Sequence, residues 1–80
     1  MIKPLVREIL SKFGRLSIAV PELSDDSDLY NAGLTSLATV GLMLALEGQF
    51  NVEFPDSLLS RKTFSSIEEI AGAIEQISNK

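Results

Sequence analysis

Apolar residues recur at helical spacing in three separate stretches of this chain, and no stretch shows the apolar and polar alternation of a half-buried strand. That restricts an 80-residue chain to an all-α solution, because a domain of this size is only marginally able to bury a core and favours compact helical packing. The first stretch places Ile2, Leu5, Val6, Ile9, Leu10 and Phe13 on one face, with Pro4 in the first turn and Gly14 as a C-terminal stop. The last carries Ile67, Ile70, Ala71, Ile74 and Ile77. It is predicted to start at Ser65 or Ser66, each followed three residues later by Glu68 or Glu69 in capping-box spacing. Before it, Asn51 to Pro55 reads as an extended turn, Asp56 as the cap of a short helix running through Leu58 and Leu59 to about Arg61, and Phe64 as a core plug. The C-terminal Ser78, Asn79 and Lys80 are expected to fray. Residues 1–80 thus read as one domain, a bundle of three main helices and one short one.

The middle helix, Ser36 to Phe50, is apolar on both sides. Leu42, Met43, Leu46 and Phe50 share one face and Leu37, Val40, Gly41, Leu44 and Gly48 the other, with Glu47 the single charge. One face must meet the core. The other is either covered by the long loop from Arg15 to Leu34 or left open as a docking strip. In that loop periodicity lapses, Pro21, Asp25, Asp26, Ser27 and Asp28 interrupt it, and Leu16, Ile18, Val20, Leu23 and Leu29 are available for burial. Asp28, Leu29 and Tyr30 are placed to form a short helical turn before Gly33.

The chain has no Cys and no His, so it cannot form a disulfide, a Cys/His zinc site or a catalytic dyad built on thiolate or imidazole. Its N-terminus lacks a signal-peptide core and no run approaches the ~18 apolar residues of a membrane span, which points to the cytoplasm. The net charge of -4 is unevenly spread: from Leu16 to Ser60 there are seven acids (Glu22, Asp25, Asp26, Asp28, Glu47, Glu53, Asp56) and no Lys or Arg. Such a field disfavours nucleic acid and attracts basic protein surfaces.

One serine stands out. Ser36 follows the Gly33 turn and opens the apolar helix, where free backbone N–H groups and the helix dipole stabilise a phosphate ester by about 0.3 to 1 kcal/mol when exposed. From this stretch alone a plain N-cap serine is the favoured reading, since capping is the commonest reason for a serine before an apolar helix.

Gly33-Leu34-Thr35-Ser36-Leu37, followed by a leucine-rich helix ending in Glu47 and Phe50, the acidic turn Val52-Glu53-Phe54-Pro55-Asp56 and the closing isoleucine helix, resembles the acyl carrier protein family over nearly the whole chain. The resemblance implies that Ser36 receives 4'-phosphopantetheine from coenzyme A through a separate phosphopantetheinyl transferase. The thiol of that group then holds an acyl or aminoacyl cargo as a thioester, and the carrier itself catalyses nothing. It further implies partner contacts at Leu37, Val40, Gly41, Leu44 and Glu47, with an acyl or aminoacyl ligase and a downstream acyltransferase as partners to a monomeric carrier.

Departures from the family pattern narrow the expectation. Thr35 stands where many carriers have an Asp, and Ala38, Gly41, Gly48 and Gln49 occupy positions often acidic, so charge steering from this helix is weak. A specialised carrier is expected rather than a general fatty-acid synthesis one. The Thr-Ser-Leu motif and Leu58 to Phe64 are also similar to stand-alone carriers including bacterial aminoacyl carrier proteins, which are loaded by ligases resembling class II aminoacyl-tRNA synthetases; aminoacyl and specialised acyl cargo both remain open. Arg61 and Lys62 are partner contacts or solvated charges. The competing class is an unmodified helical interaction module that uses the Leu37, Val40 and Leu44 strip. A serine enzyme would need a general base, and without His only Lys, Asp or Glu could serve.

Gly41 supplies a test of the docking strip. Gly41→Ala is expected to stabilise the fold by about 1 kcal/mol in urea unfolding and to weaken binding to the loading enzyme. Unchanged affinity would sink the idea that Gly41, lacking a side chain, lets a partner's backbone approach closely.

Overall fold

The computed structural model describes residues 2–78 and contains three α-helices, α1 (Ile2–Phe13), α2 (Ser36–Phe50) and α3 (Ile67–Ser78), with single 3-10 turns at Val20–Glu22 and Asp56–Leu58. The expected all-α bundle with a long first connection is borne out. α1 packs against both α2 and α3. Its stripe supplies Val6, Ile9 and Leu10 to the core; α2 supplies Leu42 and Leu46, and α3 Ile67, Ile70, Ala73 and Ile74. Full burial of a Leu or Ile side chain is worth about 1.5 to 3 kcal/mol, so these residues carry most of the driving force.

The long connection is built into that core. Val20, Leu23, Leu29, Ala32 and Leu34 are all buried, and Leu29 is completely so. Asp28 Oδ1 accepts from the N–H groups of Tyr30 (3.0 Å) and Asn31 (3.3 Å), and Ala32 N–H reaches Asp28 O at 3.1 Å, which gives the helical turn expected there. Ile18, anticipated as buried, is exposed. The Ser17 N–H and Oγ both donate to Ala32 O at 2.9 Å, which fixes the chain at Ser17 and leaves Ile18 on a bend outside the core. Gly33 closes this clasp with φ +112°, and a Cβ there would lie 3.1 Å from Ser17 N, so both conformation and space require glycine.

Of the local expectations, the Gly14 stop and the Ser66 cap hold, while the helix from Asp56 to Arg61 and the fraying at Ser78 are corrected. α1 stops after Phe13, as expected of Gly14, and this glycine is required by closeness: a Cβ there would meet Leu10 O at 2.7 Å, while Arg15 takes the left-handed conformation (φ 53°). The element after Pro55 is one 3-10 turn. Pro55 occupies its cap position and Asp56 its first turn with no side-chain cap bond; Leu59 (ψ 65°) leaves helical geometry, so no helix reaches Arg61. α3 begins at Ile67, with Ser66 Oγ accepting from Glu69 N–H at 3.1 Å in the manner of an N-cap. Ser78 closes α3 with its Oγ donating to Ile74 O at 2.7 Å, while Asn79 and Lys80 lie outside the described residues.

Charge is redistributed in space. The acidic loop reads as one-signed along the chain, yet Asp25 bonds Arg7 (2.8 Å) and Lys3 (3.3 Å) of α1, while its carbonyl accepts the Glu68 N–H of α3 at 2.9 Å. The Arg7 hydrogen bond, followed by that from Lys3, holds the Asp25 carboxyl below its ordinary value of 3.8. A lowered folded-state pKa means that this stabilisation is present above the unfolded value and is lost as pH falls through the folded one. Asp25→Asn is therefore expected to destabilise at neutral pH. The gap from the wild type should close as unfolding is followed downward from pH 7 through 3.8.

Candidate functional site

α2 starts at a threonine cap, not a serine cap. Thr35 is extended (φ -92°, ψ 166°) and its Oγ1 accepts from Ala38 N–H at 3.1 Å, while its carbonyl accepts from Thr39 N–H (2.9 Å) and Thr39 Oγ1 (2.7 Å). Ser36 is thereby the first helical residue. Its side chain is exposed, and among the described residues its Oγ has no hydrogen-bond partner; the Ser36 and Leu37 N–H groups are likewise unpaired. The capping role that competed with attachment is thus filled by the neighbour.

The two faces of α2 divide as the wheel implied, and the loop does not cover the outer one. Leu42 and Leu46 are fully buried and Met43 and Phe50 half-buried, whereas Leu37 is 84% exposed, Leu44 58% and Val40 52%. Gly41 and Gly48 are exposed, with open space where a Cβ would stand. Leu37, Val40, Gly41 and Leu44 thus form one apolar surface running from Ser36. Glu47 sits about 16 Å along the helix from Ser36, at the ~1.5 Å rise per residue. Its Oε2 accepts the Phe54 N–H at 2.9 Å and its carbonyl accepts from Asn51 and Val52, so it fastens the turn after α2. Asn51 makes that turn in the left-handed conformation (φ 53°).

Beside Ser36 lies an open groove of about 360 Å³. Thr39, Val40 and Met43 of α2 form one wall, and Tyr30, Arg61 and Phe64 face them. Phe64 is held from behind by Phe54, ring centroids 5.5 Å apart and tilted by 53°, so the expected plug is also a groove wall. Tyr30 OH donates to Arg61 O at 2.7 Å, and the Arg61 guanidinium lies over the Tyr30 ring, 3.9 Å from its centroid. Burial pushes the Tyr30 phenol up from its ordinary value, against the pull of Arg61, so it stays a donor at neutral pH. Sequence reasoning placed Tyr30 in a turn but missed it as a groove residue, because its partner lies 31 residues away and no periodicity links them.

Ser36 is thus an exposed, unbonded serine at a helix start, flanked by an apolar strip and an open groove. The residues fit a phosphodiester-linked arm: nothing competes for Ser36 Oγ, and two backbone N–H groups face outward beside it. Residues 5–74 match the family model described as a phosphopantetheine attachment site. The chain is 51% identical over 72 residues to an aminoacyl carrier protein of Agrobacterium fabrum, covering 90% of this chain and 87% of that protein. It is 32% identical to a D-alanyl carrier protein of Streptococcus pyogenes, covering 89% and 91%. It also superimposes with a TM-score of 0.93 and 48% identity, over 96% of this chain and all of the other, on a chain in a crystal structure. That structure is an engineered Bradyrhizobium japonicum glycine:[carrier protein] ligase complexed with carrier protein from Agrobacterium tumefaciens and ATP. This chain belongs to the phosphopantetheine-binding carrier protein family, whose prosthetic group is 4'-phosphopantetheine.

Adjacent residues should separate structure from attachment. Thr35→Ala is expected to cost about 0.5 to 2 kcal/mol in urea unfolding through the lost cap, and Ser36→Ala to leave stability within about 0.5 kcal/mol of the wild type. A larger loss at Ser36 would restore its capping role.

Proposed function

We propose that Ser36 carries 4'-phosphopantetheine, transferred from coenzyme A by a phosphopantetheinyl transferase, and that the protein holds an aminoacyl group and delivers it to partner enzymes without catalysing a step itself. The observation that carries this reading is the division of labour at the start of α2. Thr35 caps the helix, so Ser36 is exposed with a hydroxyl committed to nothing else. When bound, the group supplies a thiol that a chain without Cys lacks, and its thioester keeps the cargo activated. The protein's own residues do the rest. The outward Ser36 and Leu37 N–H groups and the positive end of α2 favour the phosphodiester charge, and Thr35 fixes the helix start on which the arm is mounted.

A small amino acid is favoured as cargo over a long acyl chain, because the relatives carry aminoacyl and D-alanyl groups by name and a similar carrier is complexed with a glycine ligase. By analogy, the loading partner is an aminoacyl ligase and the acceptor an acyltransferase. Leu37, Val40, Gly41 and Leu44 form the surface on which such partners dock, with little charge steering because α2 carries only Glu47. Glu47, already bonded to Phe54 N–H, serves that surface from its far end by holding the turn after α2. The chain works as one carrier domain over residues 1–80, a cytoplasmic monomer between encounters. No helix among the described residues is long and apolar enough to cross a membrane.

Intact-mass measurement of the protein from its native cells, with fragmentation, tests the assignment. A phosphopantetheine increment on Ser36, further mass equal to a small amino acid, and loss of both in Ser36→Ala are expected. If a broad-specificity transferase with coenzyme A leaves Ser36 bare, attachment fails and the unmodified interaction module takes its place.

A further inference from the structure

Resting on attachment of the arm at Ser36, we propose that Arg61 is a positioning residue that clamps the phosphodiester of the arm, and that Tyr30 holds Arg61 ready for it. Ser36 and Arg61 line the same groove. The other lining residues are apolar or carry only hydroxyl or phenol groups, so among the described residues Arg61 is the only charged one lining the groove it shares with the serine. This lies within a chain whose residues from Leu16 to Ser60 include seven acids and no base. A phosphodiester is a permanent anion at physiological pH, and a cation close by stabilises it.

Arg61 is suited to that task by how it is held. The Tyr30 OH fixes its carbonyl at 2.7 Å, and the Tyr30 ring lies under its guanidinium at 3.9 Å. One anchor fixes the Arg61 backbone and the other its guanidinium, so part of the ordering entropy of a long arginine is already lost before any anion arrives. The contact with the ring occupies none of the guanidinium N–H donors in a hydrogen bond among the described residues. Among the described residues those donors make no salt bridge, in contrast to Arg7, whose donors are taken by Asp25 and Val20 O. A planar fork with open donors matches phosphate oxygens in a way that a lysine point charge does not. Tyr30 itself arrives through the loop: Asp28 caps its turn, and Leu29 N–H donates to Ser65 O at 2.8 Å just beyond Arg61. The clamp is thus assembled from two chain segments that meet only in the fold.

Lys62 provides an internal control. It bears the same charge on the next residue but does not line the Ser36 groove. The wild type, Arg61→Gln, Arg61→Lys and Lys62→Gln are loaded with phosphopantetheine by a broad-specificity transferase. Loading is verified by mass, and the phosphodiester is followed by ³¹P NMR as sodium chloride is raised at neutral pH. In the holo wild type the ³¹P resonance is expected to move as salt screens the Arg61 contact. That response should vanish in Arg61→Gln, persist in Lys62→Gln and be reduced in Arg61→Lys. The wild-type titration needs no variant to fold. Superimposable titrations for all four proteins, or equal losses in Arg61→Gln and Lys62→Gln, overturn the clamp and leave the attachment reading intact. Failure of the wild type to gain mass at Ser36 overturns both.

Discussion

The structure depends on burying chain that is not helical. α1 touches both other long helices, but Leu29, Phe54 and Phe64, which sit in turns and extended segments, complete the core between them. Ordering backbone costs about 1 to 2 kcal/mol per residue, and a loop as long as residues 15–35 stays ordered only if its burial offsets that cost. Five buried apolar side chains do much of this, and backbone bonds within the loop (Ser17 to Ala32) and to the chain around the start of α3 (Leu29 to Ser65, Glu68 to Asp25) do the rest. The loop acts as the fourth packing element of the bundle, in a position a helix would ordinarily hold.

That arrangement leaves α2 with an uncovered side. Because the loop folds toward α1 and α3, as its bonds to Arg7, Ser65 and Glu68 record, it does not shield Leu37, Val40 and Leu44. A helix apolar all round is normally buried all round. Here half of it remains at the surface, immediately next to the serine, which is where a shuttle that must be recognised by successive enzymes has use for it. The same loop delivers Tyr30 to Arg61, so the groove beside Ser36 is a by-product of how the loop is tied down.

Electrostatics illustrate the gap between sequence order and spatial order. Along the chain the acids from Glu22 to Asp28 look like a free, one-signed patch. In the fold Asp25 is taken up by Lys3 and Arg7, residues from the basic end of the sequence, and works as a tether. Arg61 likewise looks like an ordinary solvated charge until its stacking on Tyr30 is seen. Exposed ion pairs contribute little stability singly, so the value of these contacts lies in where they hold the chain.

The sequence by itself determined the three helices, their inward faces and the exceptional position of Ser36, because helical periodicity, glycine stops and capping residues are local and survive in one dimension. It also carried the family likeness, through the order of the serine motif, the leucine helix and the acidic turn. Only the tertiary structure decided that Thr35 caps while Ser36 stands free, that the outer strip of α2 is open, that the element after Pro55 is a single turn, and that Glu47 anchors Phe54. Each of these turns on which of two chemically equivalent neighbours takes a bond, or on contacts between residues far apart in the chain, and composition and spacing hold no record of either. The groove of Tyr30 and Arg61 lies furthest from the sequence, since both residues are unremarkable until the loop's buried leucines bring them together.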